Sequence, residues 1–160
     1  MPKLLRIIID ICILRAKPED VPASTTLLGA TLAVYASVSL ALASVSLPLN
    51  KALLYALADT MVLAVLTHTL LLLRRFPARL PQTLTALAGT GALFGLIGLP
   101  FAQLTELEPL LFALLIWNVA VSAHILRHAL SVSFIMGVVA SLGYLLMAVA
   151  VTAALFPPAP

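Results

Sequence analysis

Apolar residues run in five long stretches along the chain, and the charged residues collect in the gaps between them. The stretches cover about 24–47, 51–73, 83–101, 109–130 and 133–156. At 1.5 Å per residue each is long enough for a hydrocarbon core of roughly 30 Å. Each is therefore read as a transmembrane helix. Ser24 offers an N-cap to the first span. Pro48-Leu49-Asn50 makes a tight turn into the second. The basic segment 74–81 carries Pro77 and Pro81 and separates the second span from the third. A polar stretch, 102–108, leads to Pro109, which sits in a first helical turn where its missing N–H costs nothing. The link through Ser131 and Ser133 is so short that the fourth and fifth spans must be antiparallel neighbours.

Upstream of the spans, residues 3–17 have a different period. At about 100° per residue, Lys3, Arg6, Asp10 and Lys17 fall within about 60° of one another. Leu4, Leu5, Ile7, Ile8, Ile11 and Leu14 cover most of the remaining circumference. The stretch is too short and too charged to span. A narrow polar stripe over a broad apolar face suits the headgroup boundary, with Lys3, Arg6, Arg15 and Lys17 reaching anionic lipid. Pro18 and Pro22 end the helix. Asp10 interrupts the apolar run and no small-x-small cleavage site precedes Pro18, so the segment is expected to be retained. The fold class is all-α. An interfacial amphipathic helix and Pro-bounded turn (1–23) precede a polytopic membrane bundle of five transmembrane helices (24–156) and a short tail (157–160).

Composition agrees with that pattern. The chain is 62% hydrophobic and 9% charged, with a mean hydropathy of +1.16. A soluble domain carries about 25% charged residues, so too little polar surface remains to cover a globule in water. The net charge of +3 does not point to nucleic acid, because its positions follow membrane orientation. With the N-terminus inside, the inner side holds Lys3, Arg6, Arg15, Lys17, Arg74, Arg75, Arg79 and Arg127, and the outer side only Lys51. The positive-inside bias then places the N-terminus in the cytoplasm and the C-terminus in the periplasm, with Glu106 and Glu108 outside. The alanine- and leucine-rich style suits a bacterial inner membrane. The lone Cys12 excludes an internal disulfide and a Cys-based metal cage, and is read as a small buried hydrophobe.

Small residues mark helix contacts in lipid. The third span carries Ala88, Gly91, Gly95 and Gly98, the first Ala30, Ala33, Ser37, Ala41 and Ser44, and the fifth Gly137, Ser141 and Ala148 around Tyr144. Gly91-x-x-x-Gly95 suits a dimer face, but a five-helix bundle needs such faces for its own packing first.

Two polar groupings lie within the spans. Asp59 is the only carboxylate there, and an acid near a helix centre costs about 3 kcal/mol on insertion scales. It must face protein or water. Asn118 lies at a similar depth, so the two can form a buried polar pair, with proton or solute handling as the alternative. His68, His124 and His128 share one leaflet, the latter two on one face with Trp117 and Val121. They can bind a divalent metal, or His68 and His124 can ligate haem. The plainer reading is interfacial histidines bonded to carbonyls. No Walker loop, GxSxG or HExxH occurs, so no enzyme is expected.

The second half, with Trp117 and the run WNVAVSAHILRHALSVS leading by a short basic link into the last span, resembles the Yip1 family of five-span membrane proteins. The first half matches only in topology, and the eukaryotic members' N-terminal Asp-Leu-x-Gly-Pro element has no counterpart. The resemblance implies a membrane adaptor acting through helix contacts. The leading expectation is a scaffold or accessory subunit, without cofactor, that contacts lipid and another membrane protein or itself. The alternatives are a small transporter or channel using Asp59, and a haem- or metal-binding redox subunit.

Overall fold

A computed structural model describes residues 2–103 and 107–155. Glu106, Phe156 and the tail 157–160 lie outside the described residues. Regular structure among the described residues is helical: α1 (Pro2–Cys12), α2 (Thr25–Ala43), α3 (Leu49–Leu73), α4 (Leu80–Gly98), α5 (Glu108–Ala129) and α6 (Phe134–Leu155). Short 3-10 turns lie at Pro18–Asp20, Pro77–Arg79 and Phe101–Gln103. Five of the helices, α2 to α6, are long and apolar enough to cross a membrane. Ser24 caps α2 by accepting from the Leu27 N–H at 3.3 Å. α4 starts three residues earlier than its apolar run because Pro81 fits in a first turn.

The N-terminal helix is shorter than 3–17. It ends at Cys12 because Leu14 turns left-handed, at φ 61°. The Arg15 and Ala16 N–H groups both donate to Asp10 O, at 2.8 and 3.2 Å. The same closure recurs twice. Arg75 at φ 63° lets the Phe76 N–H reach Leu71 O at 2.8 Å, and Ser131 at φ 53° lets the Val132 N–H reach Arg127 O at 2.9 Å. A side chain in this region costs roughly 1–2 kcal/mol. The bonds satisfy carbonyls that a helix end would otherwise leave open.

α4 is the axis of the bundle. Its span is 56% buried, against 11–28% for the other four, and every residue from Thr83 to Thr90 is buried. Its glycines admit three neighbours. A Cβ on Gly89 would meet Ile8 of α1 at 2.5 Å, one on Gly91 the Tyr35 ring at 2.8 Å, and one on Gly95 Val38 at 2.6 Å. Gly98 lies close to Leu114 of α5. The Gly91-x-x-x-Gly95 face is thus occupied by α2. Some buried hydroxyls on the spans bond back along their own helix, as Thr67 does to Leu63 O at 2.7 Å and Thr90 to Ala86 O at 2.9 Å.

The small-residue face read for the first span is on the opposite side from this contact. Ala30, Ala33, Ser37, Ala41 and Ser44 are all exposed, and a Cβ on neighbouring Gly29 would meet nothing within 4 Å. α2 meets α4 through Thr31, Tyr35 and Val38 instead. The reason is volume. Two small faces would leave a void between helices, whereas the Tyr35 and Val38 knobs fill the gaps at Gly91 and Gly95. The fifth span does use its small face. Gly137 of α6 lies against the Ala123 carbonyl of α5, and Ser141 Oγ donates to Val119 O at 3.1 Å.

One end of the bundle, which carries Arg74, Arg75, Arg79 and Arg127, is tied by Arg79. Its Nη1 donates to His128 O (3.1 Å), Ala129 O (3.0 Å) and Ser131 Oγ (3.0 Å). Its guanidinium stacks on Phe76 at 4.4 Å and stands 3.9 Å from Glu19. The N-terminal segment docks here too. Gln82 Nε2 donates to Glu19 O and Val21 O, at 3.2 and 3.0 Å. Higher up, Trp117 Nε1 donates to Cys12 O at 3.0 Å. Ile11 and Cys12 are buried beneath, and burial pushes the Cys12 thiol up to about 11. The Cys12 side chain stays a neutral thiol at pH 7.

Candidate functional site: a cavity around Asp59

Asp59 stands ten residues into α3, about 15 Å along the helix. The turn from α2 to α3 folds Ser39 against it, and Ser39 Oγ donates to Asp59 Oδ2 at 2.8 Å. The Tyr35 hydroxyl stands beside the same carboxylate. Asn118 faces the same space from α5, while two hydroxyls of α2, those of Ser39 and Tyr35, stand against the carboxylate. Ser39 does not stand out among the small residues of its span. Its signal is the four-residue spacing from Tyr35, which puts both on one side of α2, at the depth of Asp59.

Two recesses meet at this point. One has a volume of about 470 Å³ and the other about 380 Å³. Tyr35, Tyr55, Asp59, Gly91, Leu115 and Asn118 line both. The larger is closed towards the basic end by Leu63, Leu87 and Leu126, all buried. It extends the other way along α6 to Val149 and Ala153. The smaller runs between α2, α4 and α5 past Gly98 to Ala102 and Leu111. Both recesses thus extend from Asp59 away from the basic end. Among the described residues no Lys, Arg or His lines either recess. Tyr144 is also in the wall, with its buried hydroxyl beside that of Thr67. An acid, a serine hydroxyl bonded to it and three phenols are enough to bind a polar molecule.

The histidines lie elsewhere. His124 Nε2 faces the Ala16 carbonyl at 3.0 Å, so the proton sits on that nitrogen. His128 Nε2 accepts from Arg127 Nε at 3.2 Å, which puts its own proton on Nδ1. The two rings meet edge-on at 4.8 Å. His68 is on the exposed side of α3. Among the described residues no three His, Cys, Asp or Glu side chains converge as a metal site.

No family model matches the chain, and no curated protein or solved structure matches it.

Proposed function

We propose that the protein handles a small solute in the membrane, as a transporter or channel subunit, with the cavity around Asp59 as its working site. The carrying observation is that the one carboxylate within a span stands where two recesses meet. An acid at mid-span is costly and marks substrate or ion paths. With the basic end in the cytoplasm of a bacterial cell, the cavity opens towards the periplasm and Leu63, Leu87 and Leu126 form its inner seal. Lys3, Arg6, Arg15 and Lys17 are exposed and are placed to hold anionic headgroups beside α1. The test is thiol accessibility in a Cys12→Ser background. Asn118→Cys is expected to react with methyl methanethiosulfonate about tenfold faster than Leu126→Cys, which lies in the packed seal. Equal, slow reaction at both positions would show a closed core and end the proposal.

A second reading has its own support. The exposed small-residue side of α2, with Ala33, Ser37 and Ala41, suits close approach of another helix. A scaffold or accessory subunit of the kind the Yip1 resemblance implies would dock there. Under this reading Ser37→Leu is expected to remove a co-purifying membrane partner, or a second copy, in mild detergent. A native particle that is monomeric and partnerless speaks against it.

A further inference from the structure

The walls of the cavity also indicate what enters it. We infer that its occupant is a compact organic ammonium ion, held by the Asp59 carboxylate within a wall of tyrosines. This inference rests on the solute-handling reading and adds the chemical class of the solute.

Three observations carry it. The first is charge. Among the described residues, Asp59 is the only acidic one lining either recess, and no basic side chain lines them. The hydroxyls against it, of Ser39 and Tyr35, are neutral. An ionised carboxylate there attracts a cation and repels an anion, and low-dielectric walls strengthen both effects. The second is the wall itself. Tyr35, Tyr55 and Tyr144 converge on one space from α2, α3 and α6. Aromatic rings around a carboxylate favour ammonium ions over hydrated metal ions, because the ring faces attract a weakly hydrated cation. The third is size and polarity. A recess of about 470 Å³ falls in the usual range for organic ligands and far exceeds a bare metal ion. The Tyr144 hydroxyl in the wall can offer one hydrogen bond to a polar group on the same molecule.

A proton alone would use Asp59 but not the volume or the rings. An anionic or neutral solute would leave the carboxylate uncompensated.

The experiment uses full-length protein carrying Cys12→Ser and Asn118→Cys, with Leu115→Cys as a second reporter should the first fold poorly. Three thiol reagents are compared: the trimethylammonium-ethyl methanethiosulfonate, the sulfonato-ethyl methanethiosulfonate and the neutral methyl ester. After correction for their rates with a free thiol, the cationic reagent is expected to react about tenfold faster than the anionic one. Asp59→Asn should bring that ratio close to one. Tetramethylammonium chloride should slow labelling more than sodium chloride at equal ionic strength. Fast labelling by the neutral reagent with no cation preference would overturn the ammonium assignment and leave the solute-handling reading standing. Equal slowing by the two salts would overturn it as well, since screening alone would account for the preference. Failure of all three reagents at both reporters would remove both claims.

Discussion

Gly137→Leu is expected to abolish recovery of folded protein, and Gly137→Ala to destabilise it by about 1–3 kcal/mol. A Cβ at Gly137 would stand 2.5 Å from the Ala123 carbonyl oxygen and 3.1 Å from Arg127 Cβ. The first of these is backbone, so no rotamer change relieves it. Helices α5 and α6 would have to separate, and the Ser141–Val119 bond would stretch. Helix propensity works the other way, because alanine is better than glycine by roughly 1 kcal/mol. Gly143→Ala isolates that term, since a Cβ there meets nothing within 4 Å. It should leave stability unchanged or raise it by up to about 1 kcal/mol. Unfolding in mixed micelles with increasing dodecyl sulfate reads both. If Gly137→Ala unfolds at or above the native midpoint, α5 and α6 are not packed as closely as described.

Arg79→Ala should be the second most damaging change, by about 2–4 kcal/mol. Hydrogen bonds from a charged donor are worth about 1.5–3 kcal/mol each, but two hydrogens on Nη1 are shared among three acceptors, so the terms do not add. Two of the acceptors, His128 O and Ala129 O, are end carbonyls of α5, where a cation also complements the helix dipole. Arg79→Lys should recover only part, because lysine lacks the planar fork and the stack on Phe76. Glu19→Gln should cost less than about 1 kcal/mol, since that pair is 3.9 Å apart and half exposed. The same unfolding assay ranks the three. Equal losses for Arg79→Ala and Glu19→Gln would mean that the ion pair, not the carbonyl ties, makes the knot.

Much of this architecture is legible in the residue pattern, and the parts that are not share a cause. Five apolar runs and the prolines between them locate α2 to α6 within a few residues, because in lipid a segment must satisfy its own backbone. Pro109 and Ser24 mark helix starts by purely local chemistry. Asp59 stands out for its cost, and its depth follows from counting. Contacts between spans are harder to read. Ser37 and Ser39 differ by two positions and lie on nearly opposite sides of α2, yet both fit a small-residue rule. Only the Tyr35 and Val38 knobs, matched to Gly91 and Gly95, decide which side faces α4. The N-terminal helix shows the same limit. Its stripe of Lys3, Arg6 and Asp10 is visible in sequence, but the left-handed turn at Leu14 is a non-glycine exception that propensity does not foresee. The docking of Cys12 and Ala16 carbonyls on Trp117 and His124 depends on partners more than a hundred residues away.

The left-handed closures at Leu14, Arg75 and Ser131 have a mechanical corollary. Together with the Arg79 ties they pin the connections beside the leucine seal, and no comparable clasp occurs among the described residues at the opposite rim. On the solute-handling proposal, a guest would therefore come and go at the rim that these ties do not hold.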